Sequence, residues 1–245
     1  MFVSTPSMSK KAKKYITHMG DFSMETLQSE AKILASLSAE VERRFAEIVD
    51  LAHSWEHVQR VYTTALYLAE REGANRFIVG VAALMHDLGR TVDDDEETPT
   101  HHADLSVILA RELLTDYQVP TDVQEAILHA IAAHSFSRGI QPLTVEARVV
   151  RDADRLDGLG AIGIVRWAIT GTLRSNPQTK TYHPTDPFAG QHTLNDRLYM
   201  LDHFFTKLLR LQDTMATETG RILAQRRTNF MKMYLAELQT ELTHS

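Results

Sequence analysis

The chain contains no cysteine among its 245 residues. That excludes disulfide staples, thiolate metal sites and cysteine nucleophiles, and it fits a reducing, cytoplasmic setting. It also has no apolar run long enough to cross a bilayer. Positive charge is not in excess either: the formal net charge is -6. That balance gives no electrostatic footprint for nucleic acid and argues against binding an anionic membrane surface. Lys10, Lys11, Lys13 and Lys14 form a basic cluster, but no apolar segment follows it, so a secretory signal is not expected. Strand signals are scarce. What is present is 43% hydrophobic residues against 24% charged, enough for a sizeable core.

The apolar residues recur at helical spacing. The expected fold is therefore all-α, a single-domain bundle of about eight to nine helices. Residues 1–23 are expected to form a mobile arm, and residues 24–245 the folded domain with a C-terminal helical extension. Helices are expected over 25–48, 54–72 (stopping at Gly73), 77–88, 101–117, 121–135, 144–157, 158–174, 194–213 and 216–242. Residues 77–85 are apolar on every side, which marks a central helix, with Gly89 as its terminator. The run Asp93 to Glu97 is expected to be a solvated loop. The Pro- and Gly-containing stretch between Leu173 and Thr193 reads as a long loop of the kind that is usually functional or disordered.

Chemistry concentrates in three places. His86 and Asp87 follow directly on the central helix. An ionised carboxylate there is costly unless it is paired or binds a cation, and a helix C-terminus is itself partially negative. Histidine beside aspartate offers a nitrogen-and-oxygen ligand set. The plainer alternative is a surface His-Asp pair. His53 and His57 share a helix face, with His57 at the edge of the stripe Val58, Val61, Ala65 and Leu68. A core histidine bonded to a backbone carbonyl would look the same. Asp152, Asp154 and Asp157 lie on a helix flanked by aliphatics. Periodicity leaves Asp152 and Asp154 equivalent, and a solvated charged face is the alternative for each.

The set His57-Val-Gln-Arg-Val61, Leu84-Met-His-Asp-Leu-Gly89 and Ala153-Asp-Arg-Leu156 resembles the HD-domain superfamily of metal-dependent phosphohydrolases over about residues 50–175. The segments Ala52-His-Ser-Trp-Glu-His57, Ala133-His-Ser-Phe-Ser-Arg-Gly139 and Asp152-Ala-Asp-Arg-Leu-Asp157, with Phe204, Lys207, Leu208 and Arg226, are similar to a bacterial nucleotide pyrophosphohydrolase-like subgroup. The resemblance implies a divalent ion (manganese, nickel, cobalt, iron, zinc or magnesium) held by His57, His86, Asp87 and Asp154, with Asp152 as the alternate. It implies hydrolysis of a phosphorylated small molecule by metal-activated water, with nucleoside triphosphate pyrophosphohydrolysis as the specific reaction. His102 and His134 correspond to extra ligands in two-metal relatives, so a second ion is left open, as are His101 and His129.

Asp87, His86 and Arg90 are the candidate catalytic residues. Arg138, His134, His53 and Lys180 are the candidate substrate contacts, with Tyr182 beside Lys180. Arg60 reads as a surface charge. Some superfamily members carry a Glu-Asp pair just after the His-Asp pair. Here Leu88-Gly-Arg-Thr91 contains no acid, which argues against an alarmone hydrolase, and Glu56 is a poor substitute because adjacent helix residues point apart. A phosphodiesterase or nucleotidase of the same superfamily, and a non-catalytic metal- and nucleotide-binding sensor, remain alternatives. A nucleotide is the expected partner, and a homodimer is left open.

Overall fold

A computed structural model describes residues 24–92, 101–135 and 138–243. The expected N-terminal arm and the run Asp93 to Glu97 lie outside these residues. Nine α-helices are present among them: α1 (Met24–Phe45), α2 (Trp55–Glu72), α3 (Arg76–Met85), α4 (His102–Asp116), α5 (Thr121–His134), α6 (Val145–Asp157), α7 (Gly160–Leu173), α8 (Asp202–Thr206) and α9 (Glu218–Thr243). Two 3-10 segments, Leu88–Thr91 and Leu208–Thr214, complete the helical content. Among the described residues β pairing is confined to a single bridge between Lys180 and Tyr199. The fold is all-α and forms one domain.

The central helix is α3, as its all-round apolar composition requires. Phe77, Val79, Gly80, Val81, Ala82, Ala83, Leu84 and Met85 are all buried. It is enclosed by α1, α2, α5 and α6. Each buried Val, Leu or Phe contributes roughly 1.5–3 kcal/mol against exposure, and that sum holds the bundle together. Asn75 starts α3 by accepting hydrogen bonds from the amides of Phe77 and Ile78, at 2.9 and 3.1 Å. Such a cap stabilises by about 1 kcal/mol. Thr144 does the same for α6 through the Ala147 amide, at 3.1 Å. The Gly73 stop is as expected, with a left-handed φ of 70°.

Two expectations need correction. The central helix ends at Met85, before Gly89. Gly89 instead lies flat against the start of α4, where an added Cβ would meet the His102 carbonyl oxygen and Leu105. Its amide is held by the Ser106 hydroxyl at 2.9 Å. The glycine is therefore required for close approach, and that approach brings α4 to the His-Asp turn. The expected helix over 194–213 is broken into turns, the short α8 and a 3-10 segment. Asp202, fully buried, accepts from the Asn195 amide at 2.7 Å and from His192 Nε2 at 2.9 Å. Those side-chain bonds fold the segment back on itself in place of a helical ladder.

Helices α7 and α9 pack together, and α9 also lies on α6 and α2. Asp152, buried on α6, accepts from the amides of Ala216 and Thr217 and from the Thr217 hydroxyl, at 3.0, 2.7 and 2.7 Å. Asp152 thus anchors the start of α9. Trp167 on α7 donates to the Met200 carbonyl at 2.8 Å, which fastens the long loop to the bundle.

Candidate metal centre

Five helix ends and turns deliver their side chains to one point. His57 comes from the first turn of α2. His86 and Asp87 follow α3, His102 opens α4, His134 closes α5 and Asp154 lies on α6. His57 and His86 are fully buried and Asp87 is 3% exposed. The Asp154 side chain is 26% accessible, through the cavity above it.

The imidazole protons are fixed by what the rings touch. His57 Nδ1 lies 2.7 Å from Asp157 Oδ2, and a carboxylate can only accept, so Nδ1 carries the hydrogen. His86 Nδ1 donates to the Ala83 carbonyl at 2.8 Å, and His134 Nδ1 to the Ile131 carbonyl at 2.6 Å. In the neutral rings each Nε2 is then a bare lone pair directed inward. His57 Nε2 and His86 Nε2 face each other at 3.3 Å. Two acceptors at that distance repel unless a cation lies between them. Asp154 Oδ1 is 3.5 Å from the first and 3.8 Å from the second, and Asp87 Oδ2 is 3.8 Å from both.

On its other side, Asp87 Oδ1 is 3.7 Å from His102 Nε2 and 3.7 Å from His134 Nε2. Two ligand sets result: His57, His86 and Asp154, and Asp87, His102 and His134. Either set could hold a metal ion, and Asp87 reaches both. Imidazole and carboxylate donors without sulfur suit first-row divalent ions.

The electrostatics agree with cation binding. Burial pushes the His86 and His102 imidazoles down to about 4, so both are neutral, ligand-competent bases. Burial opposes ionisation of Asp87, but His86 and Arg90 outweigh it and hold its carboxyl well below the usual range. Asp154 is likewise lowered, by His86 and His57 against its burial. Burial also works against a charge on His134, yet the neighbouring Asp87 raises its pKa. Asp157, lowered by His57 and Arg60 against its burial, stays an anion behind the His57 ring.

The structure brings His57, His86, Asp87 and Asp154 together. Asp152 faces away, at the α9 anchor. Arg90 Nε bonds Asp87 Oδ2 at 2.7 Å and also lines the cavity. His53 lines the cavity and pairs with Asp50 at 2.6 Å. His134, read from sequence as a substrate contact, stands in the second ligand set. Two proposed substrate contacts are not brought to the cavity. Arg138 is paired with Asp104 at 3.0 Å, and Lys180, whose main chain pairs with Leu198 and Met200, has an exposed side chain that is not among the cavity's lining residues. Tyr182 packs on the core. His101 caps α4, and His129 accepts from the Leu143 amide. Arg60 is no free surface charge: it grips Asp157 at 2.8 and 3.0 Å.

Above the centre lies a cavity of about 770 Å³. Its far wall comes from α7 and beyond, with Arg166, Arg174, His203 and Lys207 among its residues. Sequence reasoning assigned none of these to the site, although Lys207 belonged to the subgroup resemblance.

The HD domain family profile matches residues 54–159. YpgQ of Bacillus subtilis is 36% identical over 194 residues, which span 78% of this chain and 84% of YpgQ. The crystal structure of YpgQ in complex with ADP superposes with a TM-score of 0.67 at 31% identity, covering 87% of this chain and 96% of that one. The structure of an HD-superfamily hydrolase from Bacillus thuringiensis gives a TM-score of 0.68 at 28% identity, covering 88% of this chain and 100% of that one.

Proposed function

This chain belongs to the HD-domain hydrolases, a metal-dependent phosphohydrolase family, and on that footing we propose that it hydrolyses a nucleotide, splitting a nucleoside or deoxynucleoside triphosphate with water into the monophosphate and pyrophosphate. The observation that carries the reading is the pair of proton-free Nε2 atoms of His57 and His86 facing each other at 3.3 Å between two carboxylates. A buried arrangement of that kind has a use for a cation and little other justification.

His57, His86 and Asp154 would hold one ion with Asp87 completing the set, and Asp87, His102 and His134 would hold a second. Manganese, iron, cobalt, nickel and zinc match these donors best. When bound, such an ion supplies Lewis acidity toward phosphoryl oxygens and acidifies water enough to make it a nucleophile. The protein's own residues do the rest. Asp157 fixes the tautomer and tilt of His57. Arg90 holds Asp87 so that its two oxygens serve different ligand sets. The cations of the far wall offset phosphate charge. YpgQ, solved with ADP, supports a nucleotide as the ligand class.

The test is a panel of nucleoside mono-, di- and triphosphates and cyclic nucleotides, assayed with manganese, nickel and cobalt and with products identified. Pyrophosphate from triphosphates supports the proposal. Orthophosphate from monophosphates replaces it with a nucleotidase. Tight nucleotide binding with no product from any substrate would make the protein a sensor.

A further inference from the structure

The far wall of the cavity holds more positive charge than the protein itself compensates. Arg166 is pinned, donating to the Ala52 carbonyl at 2.9 Å and lying 3.2 Å from Asp157. Arg174, at the C-terminal end of α7, and Lys207, where α8 gives way to the 3-10 segment, both line the cavity. Neither side chain has a hydrogen bond or ion pair among the described residues. The carboxylate beside them, Asp196, already accepts from His203 Nδ1 at 2.8 Å and from the Thr206 hydroxyl at 3.0 Å. Asp154, across the cavity, belongs to the metal centre. Arg174 and Lys207 are exposed at the cavity wall; desolvation lowers the Lys207 pKa, Asp154 raises it, and the positive charges of Arg174 and Arg166 lower it further. Two solvated like charges on one wall of a cavity repel each other modestly, and an anion that bridges them turns the repulsion into two charge-assisted contacts.

We propose that Arg174 and Lys207 form a subsite for a phosphate group other than the one under attack, so that the site selects ligands by the number of linked phosphates. The inference rests on reading the centre as a phosphohydrolase site. It adds which residues count the phosphates. A monophosphate fills the metal centre alone. A ligand with two or more linked phosphates reaches the wall as well. Both residues lie beyond residue 159, outside the segment matched by the HD profile. On this proposal the catalytic floor and the selective wall come from different stretches of chain.

The test compares orthophosphate with imidodiphosphate, whose bridging nitrogen resists hydrolysis, as ligands of the manganese-loaded full chain by calorimetry. The wild type should bind imidodiphosphate at least ~10-fold more tightly than orthophosphate, the factor expected of one added charge-assisted contact. Arg174→Gln and Lys207→Met should each erode that ratio and the double variant should abolish it, with manganese content unchanged. Lys207→Arg should retain it, as should Arg210→Gln, a surface change outside the cavity lining. An undiminished ratio in the double variant, or an equal loss in Arg210→Gln, overturns the subsite. The two proposals fail separately. A wild type that keeps the ratio but releases no product from any nucleotide loses only the hydrolytic reading. One that hydrolyses triphosphates with the ratio intact in the double variant loses only the subsite.

Discussion

Asp157 Oδ2 sits 2.7 Å from His57 Nδ1, and the same carboxylate is gripped from outside by Arg60. The pair turns an ordinary core histidine into a directed nitrogen donor, because the proton on Nδ1 leaves Nε2 bare. Partners of this kind typically contribute 10–100-fold to metal affinity. Asp157→Asn should therefore weaken manganese binding by about that factor while the fold persists. Titration of the chelator-treated protein with manganese measures it, and an unchanged affinity would show that His57 is held by other means.

Asp87 reaches both ligand sets, whereas His134 reaches one. In metal analysis of purified protein, Asp87→Ala should lose both ions and His134→Ala only one. Phosphate or pyrophosphate release should fall ~100-fold or more in Asp87→Ala, since the ions and their charge balance go together. Equal stoichiometry in the two variants would contradict the shared role of Asp87.

Two aspartates that the sequence leaves equivalent should part company on mutation. Asp154→Ala should lose the ion of the His57–His86 set with little change in stability. Asp152→Ala strips the partners from the buried Thr217 amide and hydroxyl and should cost roughly 2–4 kcal/mol with metal content intact. Urea unfolding of the metal-free variants, followed by metal analysis, reads both effects. The reverse pattern would exchange their roles.

The loop before α8 carries its own titration. His192 lies between two carboxylates, 2.9 Å from Asp186 and 2.9 Å from Asp202, and stacks on His183 at 4.3 Å. Both ring nitrogens must donate, so the folded state favours the imidazolium, and the hydrogen bond to Asp186 leads in raising its pKa above 6.5. A raised folded pKa gives stabilisation that is complete below the unfolded value and fades as pH rises through the folded one. Stability of the wild type should therefore decline over that upper interval. His192→Gln should flatten the decline, measured by denaturant unfolding across pH. Parallel curves for the two proteins would dismiss the clamp.

The helical spacing of apolar residues carried most of the fold. Helices α2, α5, α6 and α7 lie within a residue or two of their expected limits, because each has an apolar stripe with a capping or breaking residue at its end. The segment 194–213 misled because its pattern is helical while buried Asp202 recruits backbone and His192 bonds from a distance. Gly89 misled for a similar reason, since its contact is with α4 and not its own helix. In the site, His86 and Asp87 were legible from their position after an all-apolar helix, and Asp154 through family resemblance alone. Asp157 and Arg60 could not be paired from sequence, because their link spans two helices. Arg166 and Arg174 sit on a segment whose pattern says only helix, so their direction into the cavity appears once α7 is packed.

Asp152 and Asp154 are two positions apart on α6, and at about 100° per residue they leave opposite sides of the helix. One holds the root of the tail helix and the other faces the histidines. Helix α6 thus behaves as a shaft with a load on each flank. The root of the tail and the candidate centre are thereby registered to one another through a single helix, although no bond joins Asp152 to the histidines.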